Sequence, residues 1–320
     1  MIHLTLCINC GRELPEGAKF CSVCGKKTQP VIRQENELQI NQIIGNSFKP
    51  SMNVGNFLIV LLPLMLLFMT VLYVAPQIFF LIVQNISMIE TGPIGFAEFA
   101  ISLLGMVSVL VASLSMYFLF SIYQAGVVIH NISDRISDES KPYIQSLHMG
   151  FSRYPSIFVA AFLLSILSII VGSIRYVGWL LNLIISCAFL LVYQTIVIDL
   201  KGFAEGFKRS IEYLRNYTTS YVIVYLVMII IGGAIAIIGL IPIAIIIIAS
   251  IPKLLGVLVE GQPTEILIEV AKIFTNPMLY VASILTCIIW TINILYTGYG
   301  IPTKLYLEIK KKNERPGKEI

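Results

Sequence analysis

Six stretches of this chain, at about residues 55–83, 99–130, 156–174, 177–198, 219–250 and 277–302, contain no Asp, Glu, Lys or Arg. A helix needs roughly 20 predominantly apolar residues to cross about 30 Å of hydrocarbon, and every stretch meets that length. The fold is therefore read as an all-α polytopic membrane protein with six transmembrane helices. Composition agrees: 57% of the chain is hydrophobic and 12% charged, against about a quarter charged for a soluble domain. Several runs exceed the minimum length, so bends are expected at Pro63, Pro76, Gly232-Gly233 and Pro242.

Charge placement sets the topology. Of the 22 Lys and Arg, all except Arg175, Lys253 and Lys272 fall in 1–54, 131–155, 199–218 and 303–320. By the positive-inside rule these segments are cytoplasmic, so both termini are expected inside a plasma membrane. The net charge of +4 carries no nucleic-acid footprint. The first residues lack the sustained apolar core of a secretory signal and are expected to remain.

Four of the six cysteines lie near the start, as Cys7-x2-Cys10-Gly11 and Cys21-x2-Cys24-Gly25. Two such knuckles present four thiolates to one tetrahedral Zn²⁺, and glycine after each second cysteine permits the tight turn. Two disulfides are the other reading, and zinc is preferred because paired knuckles in a chain that opens without an export signal are expected in a reducing compartment. The run CINCGRELPEGAKFCSVCGKK resembles the short zinc-ribbon found at the ends of many bacterial and archaeal proteins. Four cysteines close the shell, so the ion is structural and the module is expected to dock a cytosolic protein. The domain reading is 1–28 zinc-ribbon, 29–53 linker with an interfacial helix, 54–307 membrane domain and 308–320 basic tail.

An internal similarity runs through the spans. The even ones close with Tyr123-Gln124, Tyr193-Gln194 and Tyr296-Thr297, each followed by a basic segment. Before spans three and five lie Ile144, Leu147, Phe151 and Phe203, Phe207, Ile211, Leu214, spaced to form one helical face. Three hairpins are expected, tethered by helices in the interface, with Lys208, Arg209 and Arg215 directed at anionic headgroups. Gln124 and Gln194 are expected to form polar contacts between helices.

The run DLKGFAEGFKRSIEYLRNYTTSY resembles a segment of six-span membrane domains, including the one fused to some bacterial glycerophosphodiester phosphodiesterases. Ala204, Ser210, Arg215 and Asn216 carry that resemblance. It implies a layout across 45–315 and no enzymatic activity, because no phosphodiesterase domain is present.

The spans hold no acid–base residues at depth, and the outer-loop glutamates have no histidine or metal-ligand spacing, so catalysis is not expected. Ile266, Val270 and Ile273 share a face of an outer-loop helix expected to lie on the membrane or cap the bundle. The function reading is a non-enzymatic membrane protein with a docking zinc-ribbon. The alternative is a carrier or lipid-handling protein that accepts an amphipathic molecule between the hairpins.

Overall fold

The computed structural model describes residues 5–6, 13–14, 20, 23–25, 38–89, 93–138, 141–260 and 263–314. It divides into two units, residues 1–39 and 40–320, each taken here by itself. In the first, β1 (Thr5–Leu6) pairs antiparallel with β2 (Glu13–Leu14), Thr5 opposite Leu14 and Leu6 opposite Glu13.

The second unit is helical. It comprises α1 (Ile40–Ser51), α2 (Val54–Ile89), α3 (Pro93–Ile136), α4 (Tyr143–Gly172), α5 (Gly178–Ala188), α6 (Val192–Ile198), α7 (Phe203–Asn216), α8 (Thr218–Glu260), α9 (Pro263–Phe274), α10 (Pro277–Asn293) and α11 (Ile301–Asn313). A π-helical stretch, Ile294–Gly300, joins α10 to α11. Six segments are long and apolar enough to cross a membrane: Val54–Val83, Ala97–Ile136, Tyr143–Gly172, Gly178–Ile198, Thr218–Val259 and Pro277–Asn313. They coincide with the uncharged runs of the sequence and pair as α2 with α3, α4 with α5–α6, and α8 with α10.

The helices outlast the apolar runs. With 44 residues, α3 is about 66 Å long, roughly twice the hydrocarbon thickness, and carries His130–Arg135 out on the basic side. The expected bending points do not interrupt anything: α2 runs through Pro63 and Pro76, and α8 through Gly232-Gly233 and Pro242. The breaks fall elsewhere, at Phe189–Leu191 between α5 and α6 and at the π-helical stretch of span six. Neither holds a proline or a paired glycine, so no local residue marks them.

Between α4 and α5 the chain reverses through residues 173–177, with Tyr176 at φ 70° and the Arg175 guanidinium 5.1 Å from the centre of its ring. A Cβ on Gly178 would come within 2.6 Å of the Val171 carbonyl oxygen, so the hairpin closes only around a glycine.

Burial is concentrated toward the end of the bundle that carries the basic segments. Ile122, Ala125, Ile129, Ile157, Ala160, Val192 and Ile196 form one core cluster, and Val60, Val128, Ile132 and Leu295 a second. The opposite half of α3 presents Ile101, Leu104, Val109, Val111 and Met116 outward, and α8 presents Ile230, Ile237, Ile245 and Ile248. In water such surface would be untenable, and against lipid tails it costs nothing. The outer helix α9 stands against α2, with Ala271 buried and the Phe274 ring stacked on Phe79 at 5.6 Å.

Close packing predicts a contrast between glycines. On Gly126 a Cβ would meet the Gly150 Cα at 2.8 Å, whereas Gly105 on the same helix has nothing within 4 Å. In detergent thermal unfolding, Gly126→Val should cost about 2 kcal/mol or more through overpacking. Gly105→Val should stay within about 0.5 kcal/mol.

Candidate functional site

The ribbon is the first candidate. In sequence, β1 ends directly before Cys7 and pairs with β2. Gly25 has φ 65°, the left-handed turn expected of a glycine directly after Cys24. A strand leading into one knuckle and a glycine turn leaving the other fit a four-thiolate zinc site. Cys7, Cys10 and Cys21 lie outside the described residues, and among those described no group of three His, Cys, Asp or Glu is assembled to hold a metal. Cys187 and Cys287 are buried thiols in the helical unit.

The second candidate is the basic end of the bundle, where a helical segment precedes each odd span and docks under an even one. The first turns of α4 dock on α3: Gly150 meets Gly126, and the Tyr123 hydroxyl donates to the Leu147 carbonyl at 3.2 Å. Helix α7 docks on α6, where a Cβ on Gly206 would lie 3.1 Å from Ile196 Cγ1 and 3.2 Å from the Val192 carbonyl oxygen. Helix α1 docks on the end of span six: a Cβ on Gly300 would lie 2.2 Å from Ser51 Oγ, and the Tyr296 hydroxyl donates to the Ile44 carbonyl at 3.0 Å. The first segment thus locks onto the last span.

The docked faces are built mainly on small residues, with Ile43 of α1 and the half-buried Phe207 of α7 as apolar members. In α7 the buried stripe is Gly206, Ser210 and Tyr213, while Phe203 and Ile211 face outward. In α1 it is Ile43, Ser47 and Ser51, with Phe48 outside, and in α4 it is Ser146 and Gly150, with Ile144 and Phe151 outside. Small residues let helices approach closely, and apolar side chains are left for lipid.

Ser210 repairs the break in span four. The Phe189–Leu191 turn leaves the Ala188 carbonyl and the Leu191 N–H without helical partners. Ser210 Oγ donates to that carbonyl at 2.9 Å and accepts from that N–H at 3.3 Å. It also lies 3.3 Å from the Tyr221 hydroxyl. Sequence reasoning named Ser210 only as part of a resemblance. The signal available was a serine among small residues at helical spacing.

Two ionic clusters fix the helix ends. Asp199, directly after span four, receives Arg209 Nη1 at 2.6 Å and Lys310 Nζ at 2.8 Å, tying α6, α7 and α11 together. Burial pushes the Asp199 carboxyl up, but the hydrogen bond from Lys310 and the charges of Lys310 and Arg209 outweigh it and hold the group below its ordinary value. On α3, Asp134 receives Lys141 Nζ at 3.3 Å, and His130 Nδ1 lies 3.2 Å from Asp134 Oδ2 and 3.1 Å from Ser146 Oγ. Asn131 Oδ1 accepts from both Asn53 Nδ2 and Arg135 Nε at 3.2 Å.

The polar residues singled out from the sequence therefore diverge. Gln124 Nε2 donates to the Ile59 carbonyl of α2 at 2.7 Å, a contact between helices. Gln194 is buried and its Oε1 has no partner among the described residues, so the two glutamines are not equivalent. Arg209 is committed to Asp199 and Glu205 instead of standing free toward headgroups, while Lys208 and Arg215 are exposed. Asn293 and Trp290 hydrogen-bond across to the Gly232 and Ala236 carbonyls of α8.

Two cavities open between helices. One of about 320 Å³ lies among α3, α4, α6 and the π-helical stretch, with Tyr193 and Tyr299 in its wall. The other, about 290 Å³, is apolar and lies among α2, α8, α9 and α10.

Residues 6–28 match the family model of the zinc-ribbon domain. No curated protein and no solved structure matches the chain. The resemblance of the spans to the membrane domain of glycerophosphodiester phosphodiesterases gains no support from these comparisons. Among the described residues the second unit is all-α with six helices long and apolar enough to cross a membrane, and the chain carries an N-terminal zinc-ribbon domain.

Ser210→Ala should cost about 1–3 kcal/mol by leaving the Ala188 carbonyl and the Leu191 N–H unpaired in apolar surroundings; Phe203→Ala, at an outward position, should stay within about 0.5 kcal/mol. A second outcome follows from Asp199. A carboxyl with a lowered folded-state pKa contributes stability that is present above its ordinary value of 3.8 and lost as pH falls through the folded value. Thermal scans below that ordinary value should show wild type losing stability, and Asp199→Asn should lack that component of the loss.

Proposed function

We propose that this protein is a non-enzymatic, multi-pass plasma-membrane scaffold that presents a structural zinc ribbon to a cytosolic protein. The observation that carries the reading is the family match over residues 6–28, joined to a hairpin and a left-handed Gly25 at the places a zinc knuckle requires. A shell of Cys7, Cys10, Cys21 and Cys24 has no open position for water or substrate, so its one ion serves shape. A module this small buries little apolar surface, and metal binding supplies most of its folding free energy.

Both termini lie on the cytoplasmic side in this reading, supported by the distribution of Lys and Arg. The buried carboxylates at the basic end are engaged by cations: Asp199 by Arg209 and Lys310, and Asp134 by Lys141. That pattern supports anchoring over chemistry.

The test is metal content paired with proximity labelling in cells. Wild type should carry one zinc per chain. A Cys21→Ser/Cys24→Ser variant should carry none, insert normally and lose a defined set of labelled cytosolic neighbours. Zinc absent from wild type, or neighbour sets identical in the two chains, would contradict the docking role.

A further inference from the structure

Arg153 stands on α4 at the basic end of the bundle. Its Nη1 donates to the Leu200 carbonyl at 3.1 Å, and Leu200 itself holds a left-handed φ of 57°. The Arg153 Nε–H is buried with no acceptor among the described residues, and no described carboxylate pairs with this guanidinium. Arg209, Lys304 and Lys310, half-buried like Arg153 at this end, each have an acidic partner. A partly buried cation whose donors are left open is costly unless an anion completes it.

Successive turns deeper on the same face of α4 come Ile157, Ala161 and Ser165, which form one wall of the 320 Å³ cavity. Across it stand Tyr193 and Tyr299, and neither phenol hydrogen-bonds to another described residue. Tyr193 precedes Asp199 by six residues, placing it about 9 Å inside the level of that boundary carboxylate. There the glycerol-linked oxygens of a lipid meet its chains. Farther in, the cavity is lined by Phe118, Leu164 and Ser168.

The geometry points to a binding site for one anionic glycerophospholipid. Arg153 takes the phosphate, the Tyr193 and Tyr299 hydroxyls donate to the glycerol-linked oxygens, and one chain occupies the cavity between α3 and α4. Arg153, one helical turn before Ile157 in the cavity wall, the two tyrosines across that cavity, and the apolar recess beyond them match the order of headgroup, linkage and chain in such a molecule. The site requires the bilayer setting and is independent of what the ribbon does.

Native mass spectrometry of the full chain in detergent micelles, with phosphatidylglycerol and phosphatidylcholine supplied equally, tests the assignment. One phosphatidylglycerol should be retained about tenfold in preference to phosphatidylcholine. Arg153→Gln should remove the preference while leaving weaker binding of both lipids, and Tyr193→Phe with Tyr299→Phe should weaken both. Ser165→Phe, which fills the cavity, should abolish retention. Free glycerol 3-phosphate should fail to compete, and its displacing the lipid at equal concentration would assign a soluble anion and overturn the proposal. Equal retention of the two lipids by wild type, or a preference untouched by Arg153→Gln and Ser165→Phe, would overturn it as well. A chain that inserts and binds lipid while lacking zinc would leave this site standing and remove the docking role.

Discussion

A backbone carbonyl or N–H in hydrocarbon has no water to bond, so a helix can break inside a membrane only where the protein supplies the missing partner. Span four breaks at Phe189–Leu191, and the hydroxyl of Ser210, projecting from α7, is both donor and acceptor to the exposed groups. Tyr225 adds a donor to the Leu183 carbonyl one turn deeper. The arrangement of α7 beneath the bundle follows from that requirement. A hydrophobic face laid flat on the membrane could not deliver a hydroxyl to span four, whereas a face of Gly206 and Ser210 packs closely enough to do so.

The same rule of close approach organises the remaining junctions. Gly150 with Gly126, Gly206 with Ile196, and Gly300 with Ser47 and Ser51 place three short helical segments under three even spans. Because α1 engages the last span and not its neighbour in sequence, the first and last hairpins are joined at the basic end. The Tyr296–Ile44 hydrogen bond crosses 252 residues of chain. Ion pairs at the buried carboxylates of Asp199 and Asp134 then fasten the helix ends. Among the described residues, the far ends of α3 and α8 show no such ion pair and are lined by Ile, Leu and Val facing outward.

Much of this was legible from residues. Uncharged length gave the six spans, cysteine spacing gave the ribbon, and the tyrosines closing the even spans gave the repeat. Other features were hidden for physical reasons. Apolar periodicity groups Phe203, Phe207, Ile211 and Leu214 of α7, yet Phe203 and Ile211 turn outward while Phe207 packs on Phe189, so the buried stripe of Gly206, Ser210 and Tyr213 lies one step around the helix. Arg209 looked like a headgroup contact because Asp199 is ten residues away in sequence. Proline and paired glycine mark weak points in helices, but here α2 and α8 continue through them without a break. The actual breaks are permitted by partners on other helices, which no local pattern reveals.

The central claim is that a ring of docked helices closes the bundle through α1 and span six. Hydrogen exchange of the full chain in nanodiscs, comparing wild type with Gly300→Val, tests it most directly. The account predicts protection of residues 40–51 in wild type and its loss, together with that of α11, in the variant. Loss confined to span six, or an α1 already unprotected in wild type, would contradict it.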